Sequence, residues 1–202
     1  MEPKLMSENE LIATARAIKA AGIGTVSESI FRQNILPGSD EAAKRNIALA
    51  RLVHALSPSR YKDEWYTVAL FKDTARYLHP TRTRESYGVN LLEEAGISRL
   101  HAHALMEIAA EDNNIASFSD LALAIKFADI CTGEDGSYMT LENRMSSVTG
   151  SGAATQSKDS LDTVYALKKR NKLEKYKKLL AAEIRKGGNH GGRKKETVSG
   201  TA

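Results

Sequence analysis

The feature that most constrains the fold is the spacing of apolar residues, which recur every three or four positions along most of the chain. This spacing places them on one face of an α-helix, whereas a half-buried strand needs alternation at every second residue. No segment of the sequence shows sustained alternation or a run of β-branched residues. The sequence therefore predicts an all-α core of roughly seven or eight helices.

Residues that start and stop helices agree with this spacing. Ser7 and Glu10 fit a capping box, in which each side chain accepts a hydrogen bond from the other residue's backbone N–H. Gly22 fits the end of that first helix. A second strong helix is predicted over 41–56, and Pro80 is expected to end a helix that begins near Asp63, because the residue before proline avoids the α region.

The predicted organisation has five parts. Two helical bundles, 1–87 and 88–145, are expected to pack as one elongated body. Residues 146–157 are small and polar, which predicts a flexible linker. One long, basic amphipathic helix is predicted over 158–186, and the tail 187–202 has the polar, glycine-rich composition of a disordered segment.

Cysteine usage and hydropathy narrow the class of protein. The single cysteine, Cys131, excludes an intrachain disulfide and a zinc site built from several thiolates. No apolar run approaches the roughly 18 residues of a membrane span, and no secretory leader precedes the first helix. We therefore expect a protein of the reducing cytoplasm with no membrane association.

The residues that carry catalysis or bind metals in other proteins do not combine into a site. His101 and His103 would lie about 200° apart on a helix, so they could not share one ion. Adjacent acids such as Glu93 and Glu94 splay apart, and Cys131 has no histidine or acid at a useful spacing, which favours a packed thiol. We predict that the protein is not an enzyme and uses no metal or cofactor.

Positive charge is unevenly distributed along the sequence. The net charge is +4, yet residues 158–196 alone hold 13 Lys and Arg against 5 acids. Outside that segment acids are in excess, 20 against 16. Residues 32–99 nevertheless contain 11 basic residues against 8 acids, whereas residues 100–157 contain 2 against 8. The first half is therefore the basic part of an otherwise acidic core.

Several of these basic residues share a helix face. Lys44 and Arg51 are seven positions apart, and Lys72 and Arg76 are four apart, so each pair points in one direction. Such clusters track phosphates, and each contact releases counterions. Charge placement alone leaves a solvated helix face as an equal alternative. Two further cations lie on the predicted loop after Pro80: Arg82 and Arg84.

Six short motifs follow one another in order between residues 20 and 145. Each has low specificity, but their combined order and spacing are hard to obtain in an unrelated helical protein. They are Gly24 followed by Ile30-Phe31-Arg32-Gln33; Ala69-Leu70-Phe71-Lys72 leading to Tyr77-Leu78-His79-Pro80; Gly88-Val89-Asn90-Leu91; the helix from Ile97 to Asp112; the helix from Phe118 to Ile130; and Tyr138-Met139-Thr140-Leu141.

This ordered set resembles the CasB family, the small subunit of the type I-E CRISPR surveillance complex called Cascade. The resemblance implies a two-lobed, all-helical protein without catalytic activity. It implies the other Cascade protein subunits, the guide RNA, the target and displaced DNA strands and a second copy of the chain as partners. A basic surface of such a subunit would steady the guide RNA–target DNA heteroduplex and the displaced strand, leaving sequence to base pairing.

The residues carried over from the family pattern are Arg32, at the first of two paired arginines, and Lys72, in the helix before the His-Pro motif. Charge placement adds the others. The predicted nucleic-acid-binding set is Arg32, Lys44, Arg51, Lys72, Arg76, Arg82, Arg84 and Arg99. Two alternative functions remain open: a free-standing helical DNA-binding protein with a helix-turn-helix near Gly96, and an adaptor that acts through its basic C-terminal helix.

Overall fold

The computed structural model describes residues 6–35, 40–73, 84–109, 114–147 and 153–188, and the regular elements in these ranges are helical. One isolated bridge joins Thr132 to Tyr138, and two short 3-10 turns occupy Ser59–Tyr61 and Ile115–Ser117. The predicted all-α fold is confirmed. The helices are α1 Glu8–Ala21, α2 Thr25–Asn34, α3 Asp40–Leu56, α4 Lys62–Leu70, α5 Arg84–Glu94, α6 Arg99–Ala102, α7 Ala104–Ala109, α8 Asp120–Cys131, α9 Leu141–Ser147, α10 Ala153–Lys169 and α11 Leu173–Gly188.

The start and end of α1 follow the sequence prediction. The Ser7 hydroxyl accepts from the Glu10 N–H at 3.3 Å, and the Glu10 carboxylate accepts from the Ser7 N–H at 2.7 Å. Gly22 ends the helix with a φ of 64°, a left-handed conformation that glycine adopts without steric cost. The capping box and the glycine stop are therefore confirmed.

Helix α4 departs from the prediction at its C-terminal end. It stops at Leu70 rather than continuing to Pro80. Its end tightens, since the Phe71 N–H also bonds to the Val68 carbonyl at 3.1 Å and the Lys72 N–H bonds to the Ala69 carbonyl at 3.4 Å. Residues 74–83 lie outside the described part of the chain. Arg84, which was predicted on a loop, is the first residue of α5.

Helix α3 lies at the centre of the packing and contacts α4 and α8 most extensively. Its Leu49, Ala50 and Leu52 side chains are fully buried. One hydrophobic cluster includes side chains from α1 through to α11 and so continues across the predicted boundary between 87 and 88. The two-part division stays a prediction, but it does not coincide with a break in the core.

The single helix predicted over 158–186 is wrong, because the chain forms two helices there. Asn171 has a φ of 56°, and the Lys172 N–H bonds to the Leu167 carbonyl at 2.9 Å, which closes a Schellman-type end to α10. Helix α10 also begins at Ala153, inside the segment predicted as a flexible linker. Within the predicted tail, α11 extends to Gly188, and residues 189–202 lie outside the described ranges.

Both C-terminal helices pack onto the core. Helix α10 contacts α8, and α11 contacts α3. Leu167 is fully buried, and Tyr176 and Leu180 are 2 % exposed. The Tyr176 ring meets the edge of Phe127 with centroids 5.5 Å apart. The basic C-terminal region is therefore part of the folded body rather than an appendage.

Candidate nucleic-acid interface

The structure describes the side chains of five of the eight predicted basic residues. Arg76 and Arg82 lie outside the described ranges, and the Arg84 side chain is likewise outside the description. The five that can be placed are Arg32 on α2, Lys44 and Arg51 on α3, Lys72 after α4, and Arg99 on α6.

Arg51 forms an ion pair within the protein, but half of its side chain stays exposed. Its Nε and Nη2 atoms donate to the two oxygens of Glu28 at 2.7 and 2.8 Å, a bidentate pair that ties α3 to α2. The Glu28 side chain is only 10 % exposed, whereas that of Arg51 is 50 % exposed. A guanidinium has five N–H donors, so this pair leaves donors on the exposed edge of Arg51 for a further anion.

Lys72 is held inside the structure. Its Nζ lies 3.1 Å from Asp129 and 3.3 Å from Asp73, and its side chain is 10 % exposed. Arg45 binds the same Asp129 oxygen at 2.6 Å. Burial alone would raise the pKa of Asp129, but the charges of Lys72 and Arg45 outweigh it and lower the pKa. Lys72 therefore pairs with two partly exposed carboxylates and is itself too buried to meet phosphate.

The remaining predicted residues lie at the surface. Arg32 is 3.7 Å from Asp40, and Arg99 is 3.7 Å from Glu93. Exposed pairs at this distance contribute little and exchange readily with other anions. Lys44 is exposed and makes no ion pair with the described residues.

A cleft of about 640 Å³ lies between α3 and α11 and gathers cations that are distant in sequence. Arg51 and Lys62 line one side, and Lys186 lines the other, where Glu183 pairs with it at 2.6 Å. His54 also faces the cleft. Burial and the nearby Lys62 charge lower the pKa of His54, so it is neutral at pH 7. Arg51 is paired with Glu28 and Lys186 with Glu183, so Lys62 supplies the unpaired positive charge of the lining among the described residues.

The C-terminal helices carry a second group of exposed cations, to which sequence reasoning assigned no site. On α11 these side chains point away from buried Tyr176 and Leu180. They make no ion pair with described residues: Asp120, Glu142 and Glu183 pair with other lysines, and Glu174 is exposed on the same helix. The group comprises Lys175, Lys178 and Arg185.

A serine, a histidine and a carboxylate also meet, which the sequence did not reveal. His101 Nδ1 lies 2.6 Å from Glu64 Oε2 and 2.9 Å from the Ser98 hydroxyl. Both contacts use the same ring nitrogen, whereas a hydrolytic triad uses one nitrogen for the serine and the other for the acid. Burial would raise the pKa of Glu64, but the hydrogen bonds from His101 and Ser98 lower it. This cluster joins α4 to α6.

The other groups considered for chemistry are also placed. Cys131 is fully buried, and burial raises the pKa of its thiol to about 12, which confirms the packed thiol. Within the described ranges, His, Cys, Asp and Glu side chains form no group of three suited to a metal ion. Helices α6 and α7 have 4 and 6 residues, short for the exposed recognition helix of a helix-turn-helix.

None of the helices in the described ranges is long and apolar enough to cross a membrane. Comparison of the chain with known protein families, curated proteins and solved structures finds no match.

Proposed function

We propose that the protein is a non-catalytic small subunit of a Cascade-type RNA-guided complex, and that it holds nucleic acid by the phosphate backbone. The observation that carries this proposal is the cation-lined cleft between α3 and α11, where Arg51, Lys62 and Lys186 face one space. The six ordered sequence motifs, which resemble those of the CasB family, are the reason for proposing a Cascade-type complex.

The cleft suits phosphates better than bases. Its cationic side chains end in flexible amines or a guanidinium that still has free donors, both of which bind phosphate oxygens without reading sequence. Lys62 makes no ion pair with the described residues, so its charge is available to an incoming anion. A surface of this kind senses backbone charge and shape, which is the contribution expected of a protein whose complex reads sequence by base pairing.

Lys44 is exposed on α3 beyond the lining of the cleft. It lies two turns before Arg51 on the same face, roughly 10 Å away along the helix axis. The turn that contains Tyr138 packs between them, since the Tyr138 hydroxyl donates to the Ala48 carbonyl at 2.6 Å. A nucleic-acid strand that follows α3 would have to pass over this turn to meet both Lys44 and the cleft.

The proposed membership of a complex is tested by purification from the host. Tagged protein should co-purify with larger protein subunits and a small RNA, and nuclease treatment should release the RNA. If the purified protein carries neither, the small-subunit proposal is overturned.

The proposed surface is tested with a labelled guide RNA–DNA heteroduplex and the double variant Lys44→Gln, Lys62→Gln. Its affinity should fall about tenfold, and the slope of log K against log salt should decrease by roughly two. The matched control is Lys126→Gln, Lys177→Gln, which removes the same charge from lysines paired with Asp159 and Glu142. Equal losses in the two double variants would contradict the assignment of the cleft.

A further inference from the structure

The outer face of α10 combines apolar and cationic side chains that no described residue covers. Tyr165 is 66 % exposed and Leu161 is 54 % exposed, and the two lie one helical turn apart. Lys158, Lys168 and Lys169 are exposed beside them. At about 100° per residue these five positions occupy one side of the helix, with Tyr165 near its middle.

The opposite side of α10 fixes the orientation of this face. Thr163 and Leu167 are fully buried, and Ala166 is 2 % exposed. The helix contacts α8, and Arg170 at its end donates to the Phe118 carbonyl at 2.6 Å. Rotation of α10 about its axis would expose these buried residues, so Tyr165 is held pointing outwards.

The charge around Tyr165 is positive. The three lysines make no ion pair with the described residues, and the nearby Asp159 is bound to Lys126 at 3.4 Å. Asp162, at the edge of the face, is the one carboxylate beside them in α10. The face therefore presents a planar ring beside three lysines that make no ion pair with the described residues.

We propose that this face of α10 binds single-stranded nucleic acid, with one base stacked on the Tyr165 ring and the adjacent phosphates on Lys158, Lys168 and Lys169. Exposed aromatic rings interleaved with basic side chains are the common recognition elements for single strands, and stacking tolerates any base. Leu161 lies next to Tyr165 and supports the edge of the stacked base. This site does not depend on the cleft between α3 and α11.

Other occupants fit the face less well. A stable protein interface buries about 800 Å² on each side, far more than one tyrosine and one leucine provide. A second copy of the face would bring its lysines against like charge. The C-terminal residues Arg193, Lys194 and Lys195 are also cationic, so they would be repelled. A membrane surface needs a broader apolar face than two side chains.

The test measures binding of the full-length chain to a labelled oligothymidylate of about 12 nucleotides. Tyr165→Ala should weaken binding about tenfold. Tyr165→Phe should retain affinity, because the ring stacks without its hydroxyl. Leu100→Ala is the matched control, since Leu100 is 70 % exposed on α6 and lacks the surrounding lysines; it should bind like the unaltered chain.

Two further ligands separate stacking from charge. An abasic oligonucleotide of the same length should bind the unaltered chain and Tyr165→Ala equally, and so should a blunt DNA duplex. If Tyr165→Ala binds oligothymidylate as tightly as the unaltered chain while Lys62→Gln does not, the α10 site is overturned and the cleft stands. Binding of anionic lipid vesicles that is lost in Tyr165→Ala, without any binding of oligothymidylate, would overturn it in favour of a membrane surface.

Discussion

The basic residues of the first half and those of the two C-terminal helices differ in what they face. In the first half, Arg45, Arg51 and Lys72 bind buried or half-buried carboxylates and join helices to one another. Although Lys186 pairs with Glu183, several lysines of the outer faces of α10 and α11 make no ion pair with a described acid. Lys168 and Lys178 are examples.

This difference shows that a local excess of cations does not identify a binding surface. The first half has more cations than acids, yet the fold uses several of them to neutralise its own core. The C-terminal helices also use cations internally, since Arg170 and Lys172 both bind Asp120 at the start of α8. The remaining lysines stay on the outer faces because the opposite faces of these helices are apolar and buried. Whether a lysine is available to bind another molecule therefore depends on which side of its helix packs against the core.

The comparison also changes how the C-terminal region can be tested. Deleting residues 158–202 would uncover the Phe127 ring, which packs on Tyr176. Loss of nucleic-acid binding after that deletion would then mix unfolding with loss of charge. Single substitutions of surface residues remove charge without unfolding the protein, so they separate the two effects.

The largest predicted effect concerns the docking of α11 on the core. Tyr176→Ala should lower the free energy of unfolding by about 3 kcal/mol, because it removes a buried aromatic ring and leaves a cavity beside Phe127. Urea titration monitored by circular dichroism measures the change. A loss below about 0.5 kcal/mol, the usual size of a surface effect, would show that α11 is not packed as described.

A smaller effect should distinguish a cation that is bound to a carboxylate (tied) from one that has no ion pair among the described residues (free). Arg51→Ala should cost about 2 kcal/mol, because it leaves the buried Glu28 carboxylate without its bidentate partner. Lys178→Ala should change stability by less than about 0.5 kcal/mol, since Lys178 is exposed on α11 and unpaired among the described residues. Similar losses in both variants would remove the distinction between the two regions.

The smallest stability effect concerns pH. Burial would raise the pKa of Asp120, but Lys172 and then Arg170 outweigh it and lower the pKa. A lowered folded-state pKa stabilises the protein above the unfolded value near 3.9, and this contribution is lost as the pH falls through the folded value. The effect should stay below about 1 kcal/mol, because the Asp120 side chain is 47 % exposed.

Unfolding measured between about pH 6 and pH 2 should therefore show a flatter acid limb for Asp120→Asn than for the unaltered chain. Asp135→Asn is a useful comparison, because the pKa of Asp135 is lowered by the Ser137 hydrogen bonds within an exposed turn and not by lysine or arginine. Identical acid limbs for Asp120→Asn and the unaltered chain would show that Lys172 and Arg170 do not stabilise the α8 terminus.

Much of the fold was predictable because it depends on local patterns. The capping box at Ser7 and the periodicity of α3 depend on residues that are close together in the sequence. The break at Asn171 was missed because asparagine, not glycine, adopts the left-handed conformation there. The predicted linker failed at Ala153, since small residues suit a helix as well as a loop.

The candidate surface was less predictable, because it depends on contacts between distant segments. Nothing local indicates that Lys72 meets Asp129 and Arg45, or that α11 brings Lys186 to the cleft beside Arg51. The outer face of α10 was within reach of the sequence, since the spacing of Leu161 and Tyr165 opposite Leu167 indicates an exposed apolar pair once the helix is placed.

The central claim is that cations without an ion pair among the described residues, such as Lys62 in the cleft and Lys44 on α3, contribute more to nucleic-acid binding than cations bound to carboxylates. The most direct measurement is the salt dependence of binding to a labelled guide RNA–DNA heteroduplex for two triple variants, compared at equal folded fraction. The unpaired (free) set is Lys44→Gln, Lys62→Gln, Lys178→Gln, and the ion-paired (tied) set is Arg45→Gln, Lys126→Gln, Lys177→Gln. The free set should reduce the slope of log K against log salt by roughly two to three, and the tied set should leave it unchanged. An equal or larger decrease in the tied set would contradict the account.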